Sequence, residues 1–215
     1  GDVQTVNALS GIIPEARAID PPKPVLAADL VYEGIQEQNW ANVQRMAFWC
    51  AVLNGSAGFS YGANGIWQFE REESPFGAAP GGTGWGGDPW QVAMHYHGAR
   101  QIAMNADFLR RYAYWKIEPR PAWYQDDAPE CGAQPHSGAI GSDVRFLYLP
   151  FQRSSGRLHA LDSEASYRAF WFDPVRGTEI EIGVVNAAAD GTLRCPRPPL
   201  RQDHVLVLER MAPTA

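Results

Sequence analysis

With 215 residues, a net charge of −6, 45% hydrophobic and 20% charged residues, the chain has ordinary globular composition and can bury a core as one domain or as two of about 100 residues each. The balance argues against nucleic acid as a partner, because no Lys/Arg cluster exists to offset phosphate repulsion, and nothing in it favours disorder. No run of about 18 apolar residues is present to span a membrane, and no secretory h-region opens the chain. A start at Gly1-Asp2-Val3-Gln4, without Met, implies a natural N-terminus that is processed or absent.

Residues 2–22 have weak periodicity broken by Pro14, Pro21 and Pro22, which reads as a loop with one short helix at most. They deliver the chain to a strand over residues 25–28, apolar on both faces and therefore in need of cover on both sides. In Pro24-Val25-Leu26-Ala27-Ala28-Asp29-Leu30-Val31-Tyr32-Glu33-Gly34 the apolar run stops at an acid, as a buried parallel strand does where its C-terminal end opens into a site. From residue 39 on, Val43, Met46, Ala47, Cys50 and Leu53 keep helical spacing, with Asn39 as N-cap and Asn54-Gly55 as stop. Trp40, Phe48 and Trp49 widen that stripe until little of the helix suits water. A strand over residues 57–61 follows.

Residues 68–87 form a long Gly- and Pro-rich loop carrying Trp85 and the acids Glu70, Glu72 and Glu73, a length that goes with function or disorder. Asp88-Pro89-Trp90-Gln91 then supplies an N-cap, an N1 proline and a capping-box Gln for a helix running to about Tyr112, with a kink allowed at Gly98. Trp115-Lys116-Ile117-Glu118-Pro119 ends the helical part. From residue 120 the period becomes 2. The runs Val144-Arg145-Phe146-Leu147-Tyr148-Leu149, Tyr167-Arg168-Ala169-Phe170-Trp171-Phe172, Glu179-Ile180-Glu181-Ile182 and Val205-Leu206-Val207-Leu208, separated by turn residues, predict an antiparallel sandwich. The fold class is thus α/β followed by all-β, with a boundary near residues 118–120.

Aromatic content, 8 Trp, 8 Tyr and 9 Phe, bears on function, since many rings stand beside Gly or Pro rather than at periodic core positions. Sugar-binding surfaces have this character, and so do many protein interfaces. Asp29 is the sharpest catalytic candidate, a carboxylate at the mouth of a parallel strand. Glu33 could be a second carboxylate or could hold the loop by accepting backbone N–H groups; coming from the same strand end, the two make a doubtful acid/base pair. Tyr32, Tyr61, Asn64 and Trp67 gather at the two strand ends as substrate-binding candidates, although ordinary packing under the long loop, and a turn for Asn64, would account for them too. His95 and His97 sit two apart on a predicted helix, hence on different faces, and no metal-ligand spacing, P-loop, dinucleotide fingerprint or nucleophile elbow occurs. No metal or other cofactor is expected. Of three cysteines, Cys50 reads as a buried helical thiol, and Cys131 and Cys195 leave a pairing open.

Lys23-Pro24-Val25-Leu26-Ala27-Ala28-Asp29-Leu30-Val31-Tyr32-Glu33-Gly34, the helix ending Phe48-Trp49-Cys50-Ala51-Val52-Leu53-Asn54-Gly55, and Gly58-Phe59-Ser60-Tyr61-Gly62-Ala63-Asn64-Gly65-Ile66-Trp67-Gln68 together resemble the last two βα units of apiosidase-like glycoside hydrolases. Phe170-Trp171-Phe172-Asp173-Pro174-Val175-Arg176-Gly177 and Pro198-Pro199-Leu200-Arg201-Gln202-Asp203-His204-Val205-Leu206-Val207-Leu208 look like the collagen-binding-like C-terminal sandwich of those enzymes. The resemblance implies the last strand–helix units of an incomplete (β/α)8 barrel over residues 1–118 and an antiparallel β-sandwich over 119–215.

It further implies hydrolysis of a plant cell-wall glycan by a secreted or periplasmic enzyme, with Asp29 at the nucleophile position, Glu33 and Tyr32 supporting it, and Tyr61 and Trp67 lining the sugar site. Two departures stand out. The family's strand ends in a Gly-Glu-Pro type sequence, where this chain has Asp29, and the family's acid/base comes from an earlier barrel strand, which this sequence lacks. The chain alone is therefore expected to be inactive, and to seek either the missing barrel portion or a second copy through exposed apolar helices. The alternative is a non-catalytic carbohydrate- or matrix-binding β-sandwich module with a helical scaffold.

Overall fold

The structure, a computed structural model, describes residues 3–28, 30–82, 84–127, 132–151 and 156–212. Its first half runs α1 (Val3–Arg17), β1 (Leu26–Ala27), β2 (Tyr32–Glu33), α2 (Ala41–Leu53), β3 (Gly58–Phe59), β4 (Gly62–Ala63), α3 (Trp90–Ala93) and α4 (His97–Leu109). The second half is β5 (Glu118–Pro119), β6 (Tyr124–Asp126), β7 (His136–Ile140), β8 (Val144–Leu149), β9 (Gly156–Leu158), β10 (Ser166–Asp173), β11 (Thr178–Asn186), β12 (Leu193–Arg194) and β13 (His204–Arg210). The architecture is mixed α/β with antiparallel sheets.

Pairing is parallel only in the first half among the described residues. β1 lies beside β3, with Leu26 opposite Gly58, and β2 beside β4, with Tyr32 opposite Gly62 and Glu33 opposite Ala63. The second half forms a six-stranded sheet in the order β11-β10-β13-β8-β7-β5 and a three-stranded sheet β12-β9-β6, antiparallel throughout. Period-2 alternation decides what each face of the larger sheet meets. Phe146, Tyr148, Phe170, Phe172, Val205 and Val207 join the core of the helices, whereas Leu147, Leu149, Tyr167, Trp171, Leu206 and Leu208 pack with Leu158, Leu161 and Cys195 on the other side.

Helix α2 is the centre of the first core. Every residue from Gln44 to Leu53 is buried, as the wide apolar stripe requires, because α1 covers it with Val6, Leu9 and Ile13 and α4 with Ile102, Phe108 and Leu109. Trp49 lies parallel to the Tyr148 ring at 6.3 Å, and its indole N–H reaches Asn105 Oδ1 at 2.6 Å. Phe108 stacks on Phe172 at 3.9 Å. Arg45 of α2 is buried with a partner: it forms a two-point ion pair with Asp203 at 2.8 and 2.6 Å, and the Tyr148 hydroxyl donates to the same carboxylate at 3.3 Å. Burial opposes the charge of Arg45, but the bonds to Asp203 outweigh it and its pKa is raised on balance.

The turn from β10 to β11 shows how a local sequence fixes a link. Asp173 accepts the backbone N–H groups of Val175 and Arg176 at 2.8 and 3.1 Å and pairs with the Arg176 guanidinium at 2.9 Å. Burial alone would push its pKa up, and these donors hold it below the usual value. Gly177 closes the turn at φ 71°, which favours glycine.

Several expectations are corrected. Residues 3–17 form one fifteen-residue helix rather than a loop, with Pro14 inside it, in the last turn. Trp40, not Asn39, is the N-cap of α2, and no side chain caps it. The helix expected from Asp88 to Tyr112 is two helices, since the chain breaks over residues 94–96 and α4 begins at His97, which places His95 outside both. Cys195 is a buried free thiol, as is Cys50, and burial pushes both up to about 12; Cys131 lies outside the described residues. No helix among the described residues is long and apolar enough to cross a membrane.

Candidate active site

The two short parallel ladders set the site. Because β2 and β4 run side by side, their C-terminal ends carry Glu33 and Asn64 to the same end of the layer, and the Asn64 N–H donates to the Glu33 carbonyl at 2.8 Å. Gly62 allows this pairing to be tight: a Cβ there would stand 2.4 Å from the Tyr32 ring, which lies across it. Asp29, the residue placed at the strand end by sequence, lies outside the described residues.

Glu33 is 2% exposed, and neutral donors hold its carboxylate. The Tyr61 hydroxyl donates to Oε2 at 2.6 Å, and the Gly98 backbone N–H donates to Oε2 at 2.9 Å and Oε1 at 3.2 Å. Gly98 is in the first turn of α4, where N–H groups have no helical acceptor, so a buried carboxylate satisfies an orphan donor and meets the positive end of the helix dipole. A Cβ at Gly98 would stand 2.1 Å from Glu33 Oε2, so only glycine permits the approach. Burial, then the bond to Glu33, raises the Tyr61 pKa far above that of a free phenol, so this side chain remains a hydrogen-bond donor across the working range.

Asn64 is fully buried and uses all its side-chain capacity. Its amide donates to the carbonyls of Trp85 and Gly86 at 3.1 and 2.7 Å, and its Oδ1 accepts from Trp67 Nε1 at 3.3 Å and Gln68 Nε2 at 2.9 Å. Asn64 stands in a turn, as expected, with the Ile66 N–H donating to the Ala63 carbonyl at 3.2 Å, and its side chain also ties the long loop to the strand end. Trp67 stands beside Tyr32 at 5.9 Å, Phe76 at 5.2 Å and Trp85 at 5.3 Å.

After Glu33 the backbone is strained. Gln36, Glu37 and Asn39 all take left-handed φ, 51°, 58° and 57°, which costs non-glycine residues about 1–3 kcal/mol each and persists only where neighbours enforce it. Gln36 N–H donates to the Trp85 carbonyl at 2.7 Å, and the Asn39 carbonyl accepts Gln44 Nε2 at 3.0 Å. On the same side Tyr96 crosses Trp40 at 5.6 Å and donates to Asp88 at 2.8 Å; burial and that carboxylate raise its pKa.

The structure thus brings together Tyr32, Glu33, Tyr61, Asn64 and Trp67. Sequence reasoning missed Gly98 as a partner of Glu33, since a backbone N–H leaves no mark in residue type, and missed Phe76, whose only sequence signal was an aromatic ring beside Pro75 and Gly77. Among the described residues no group of three His, Cys, Asp or Glu side chains could hold a metal ion.

Comparison with known proteins bears on these features. The family model "Apiosidase-like, catalytic domain" matches residues 5–116. Compared by sequence with curated proteins, the chain has no match. Among solved structures, one glycoside hydrolase superposes with a TM-score of 0.79 at 20% identity over 96% of this chain and 46% of that one. A glycoside hydrolase family 5 protein from Bacteroides vulgatus ATCC 8482 gives 0.78 at 20% identity over 96% and 45%. A third structure, also from that organism, gives 0.53 at 12% identity over 97% and 39%. The chain spans about half the length of the first two.

Proposed function

The chain belongs to the apiosidase-like glycoside hydrolase family, and from that premise we propose that it is the C-terminal part of an enzyme that cleaves a glycosidic bond in a plant cell-wall glycan outside the cytoplasm. The observation that carries this reading is the buried carboxylate of Glu33, held by Tyr61 and Gly98 at the end of β2, four residues beyond Asp29. In this reading β1 with β2, and β3 with β4, are the last two strands of a (β/α)8 barrel, and residues 119–215 are its C-terminal sandwich.

Asp29 takes the nucleophile position. Its side chain is one methylene shorter than that of a glutamate, and a misplacement of about 1 Å can cost about 100-fold in rate, so catalysis with Asp29 requires the backbone to bring the carboxyl forward. Glu33 is a positioning residue: both its oxygens are already engaged, which leaves it poorly placed to protonate a leaving group. The acid/base is contributed by a residue beyond this chain. Leu26, on the exposed side of β1, and an apolar hollow lined by Phe48, Val52, Phe59, Ile102 and Leu109 between α2 and α4 are where the rest of the barrel would pack.

The 215 residues alone should release no reducing sugar from plant cell-wall polysaccharides, whereas the longer product of the source reading frame should do so and should lose activity in Asp29→Asn. Turnover by the 215-residue chain, abolished by Asp29→Asn, would overturn the inactivity claim. An active long product indifferent to Asp29→Asn would overturn the nucleophile assignment.

A further inference from the structure

We propose that Trp67, Phe76 and Trp85 form a rigid stacking platform for a neutral sugar residue of the glycan, held in shape by the buried Asn64. This deepens the glycosidase reading and rests on it for the class of ligand.

Three rings meet edge to face around Trp67, with Phe76 at 71° and Trp85 at 85°. Two of them stay open to water, Trp67 at 39% and Phe76 at 53% exposure. Exposed aromatic rings can stack on a ligand that offers flat C–H surface and outward hydroxyls, which describes a sugar ring. By contrast, Phe151 is the only aromatic side chain among the large exposed hydrophobic residues of the described antiparallel half.

The platform is fixed before any ligand arrives. Asn64 holds the Trp67 indole and the Trp85 and Gly86 carbonyls at once, and Glu70 Oε1 accepts the Phe76 backbone N–H at 3.1 Å. Preorganisation of this kind removes ordering cost from binding.

Charge selects the sugar. Among the described residues, the groove running along Trp85 is lined by Glu70 and Glu72 against one cation, Arg71, and Arg71 is drawn over the Phe69 ring at 4.5 Å. In a chain of net charge −6 this rim repels a uronate and supplies hydroxyls with acceptors.

Calorimetric titration of the chain carrying Asp29→Asn, with xyloglucan and arabinogalactan oligosaccharides and with oligogalacturonate, tests this without requiring turnover. Saturable binding of a neutral probe is expected, with quenching of tryptophan fluorescence, and Phe76→Ala and Trp85→Ala should each weaken it about tenfold. Phe76 is exposed enough that its loss cannot be mistaken for unfolding; Asn64→Ala should weaken binding as well, with circular dichroism checking its fold. No binding of either neutral probe, equal or tighter binding of oligogalacturonate, self-association through the rings, or unchanged affinity in Phe76→Ala and Trp85→Ala would each overturn the platform. These outcomes are separate from the glycosidase reading, which fails only if the long product has no activity.

Discussion

Two buried carboxylates of the helical layer are satisfied by opposite means. Asp203 meets a cation, the two-point Arg45 guanidinium, at the contact between α2 and the six-stranded sheet. Glu33 meets only neutral donors, a phenol and a backbone N–H, at the open end of the short parallel ladders. A cation next to Glu33 would form an ion pair there; neutral donors fix the carboxylate in place instead. The first arrangement joins α2 to the sheet, and the second ties the end of β2 to the start of α4.

The sharpest way to break this contrast is to remove half of the ion pair. Asp203→Ala leaves a buried guanidinium unpaired and should cost about 3–5 kcal/mol of stability, read as a drop in the urea midpoint; a loss near that of an exposed pair would show that Arg45 finds another acceptor.

Next in size is a pH effect from a third buried polar group at the layer contact. His136, beside Asn54 Nδ2 at 3.4 Å, is held down to about 4 by burial. The unfolded imidazole binds its proton near pH 6.5, so stability is fully present above that and is lost as pH falls toward 4, by about 3 kcal/mol from this group. Urea melts between pH 7 and 4.5 should show the decline, and His136→Gln should flatten it.

Tyr61→Phe should cost about 1.5–3 kcal/mol, the value of one hydrogen bond to a charged group, and should disturb the site more than the sheet. Unchanged amide exchange around Glu33 and Gly98 in that variant would count against the clamp. Smallest is Arg168→Ala. Arg168 faces solvent among Glu179, Glu181 and Glu209, and exposed pairs contribute within about 1 kcal/mol. If its loss equalled that of Asp203→Ala, burial would not be what sets the value of these pairs.

Much of the antiparallel half could be read in advance because alternation survives in the residues themselves. Val144 to Leu149 is β8 as expected, and β10 and β13 extend their expected runs by one or two residues at each end. Helix α2 was legible for the same reason at period 3.6. The misses have separate causes. Pro14 and weak spacing hid α1, and Tyr96 continues the apolar spacing of Val92 and Ala93 across the break before α4, so no signal marks that break. At the site, Tyr61 and Glu33 were legible as residues at adjacent strand ends. The Gly98 contact was not, since it joins a side chain to a backbone N–H 65 residues away.

The Arg45–Asp203 pair spans 158 residues of chain, and β13 lies inside the six-stranded sheet between β10 and β8. A ribosome therefore releases α2 long before the strand that buries its sheet-facing side exists. Until that strand inserts, Trp49 and Phe108 lack Val205 and Val207 as neighbours in their core. High sequence separation of this kind slows folding and lengthens the interval in which apolar surface is open to misassembly. The last tenth of the chain thus governs when the first half becomes safe from aggregation.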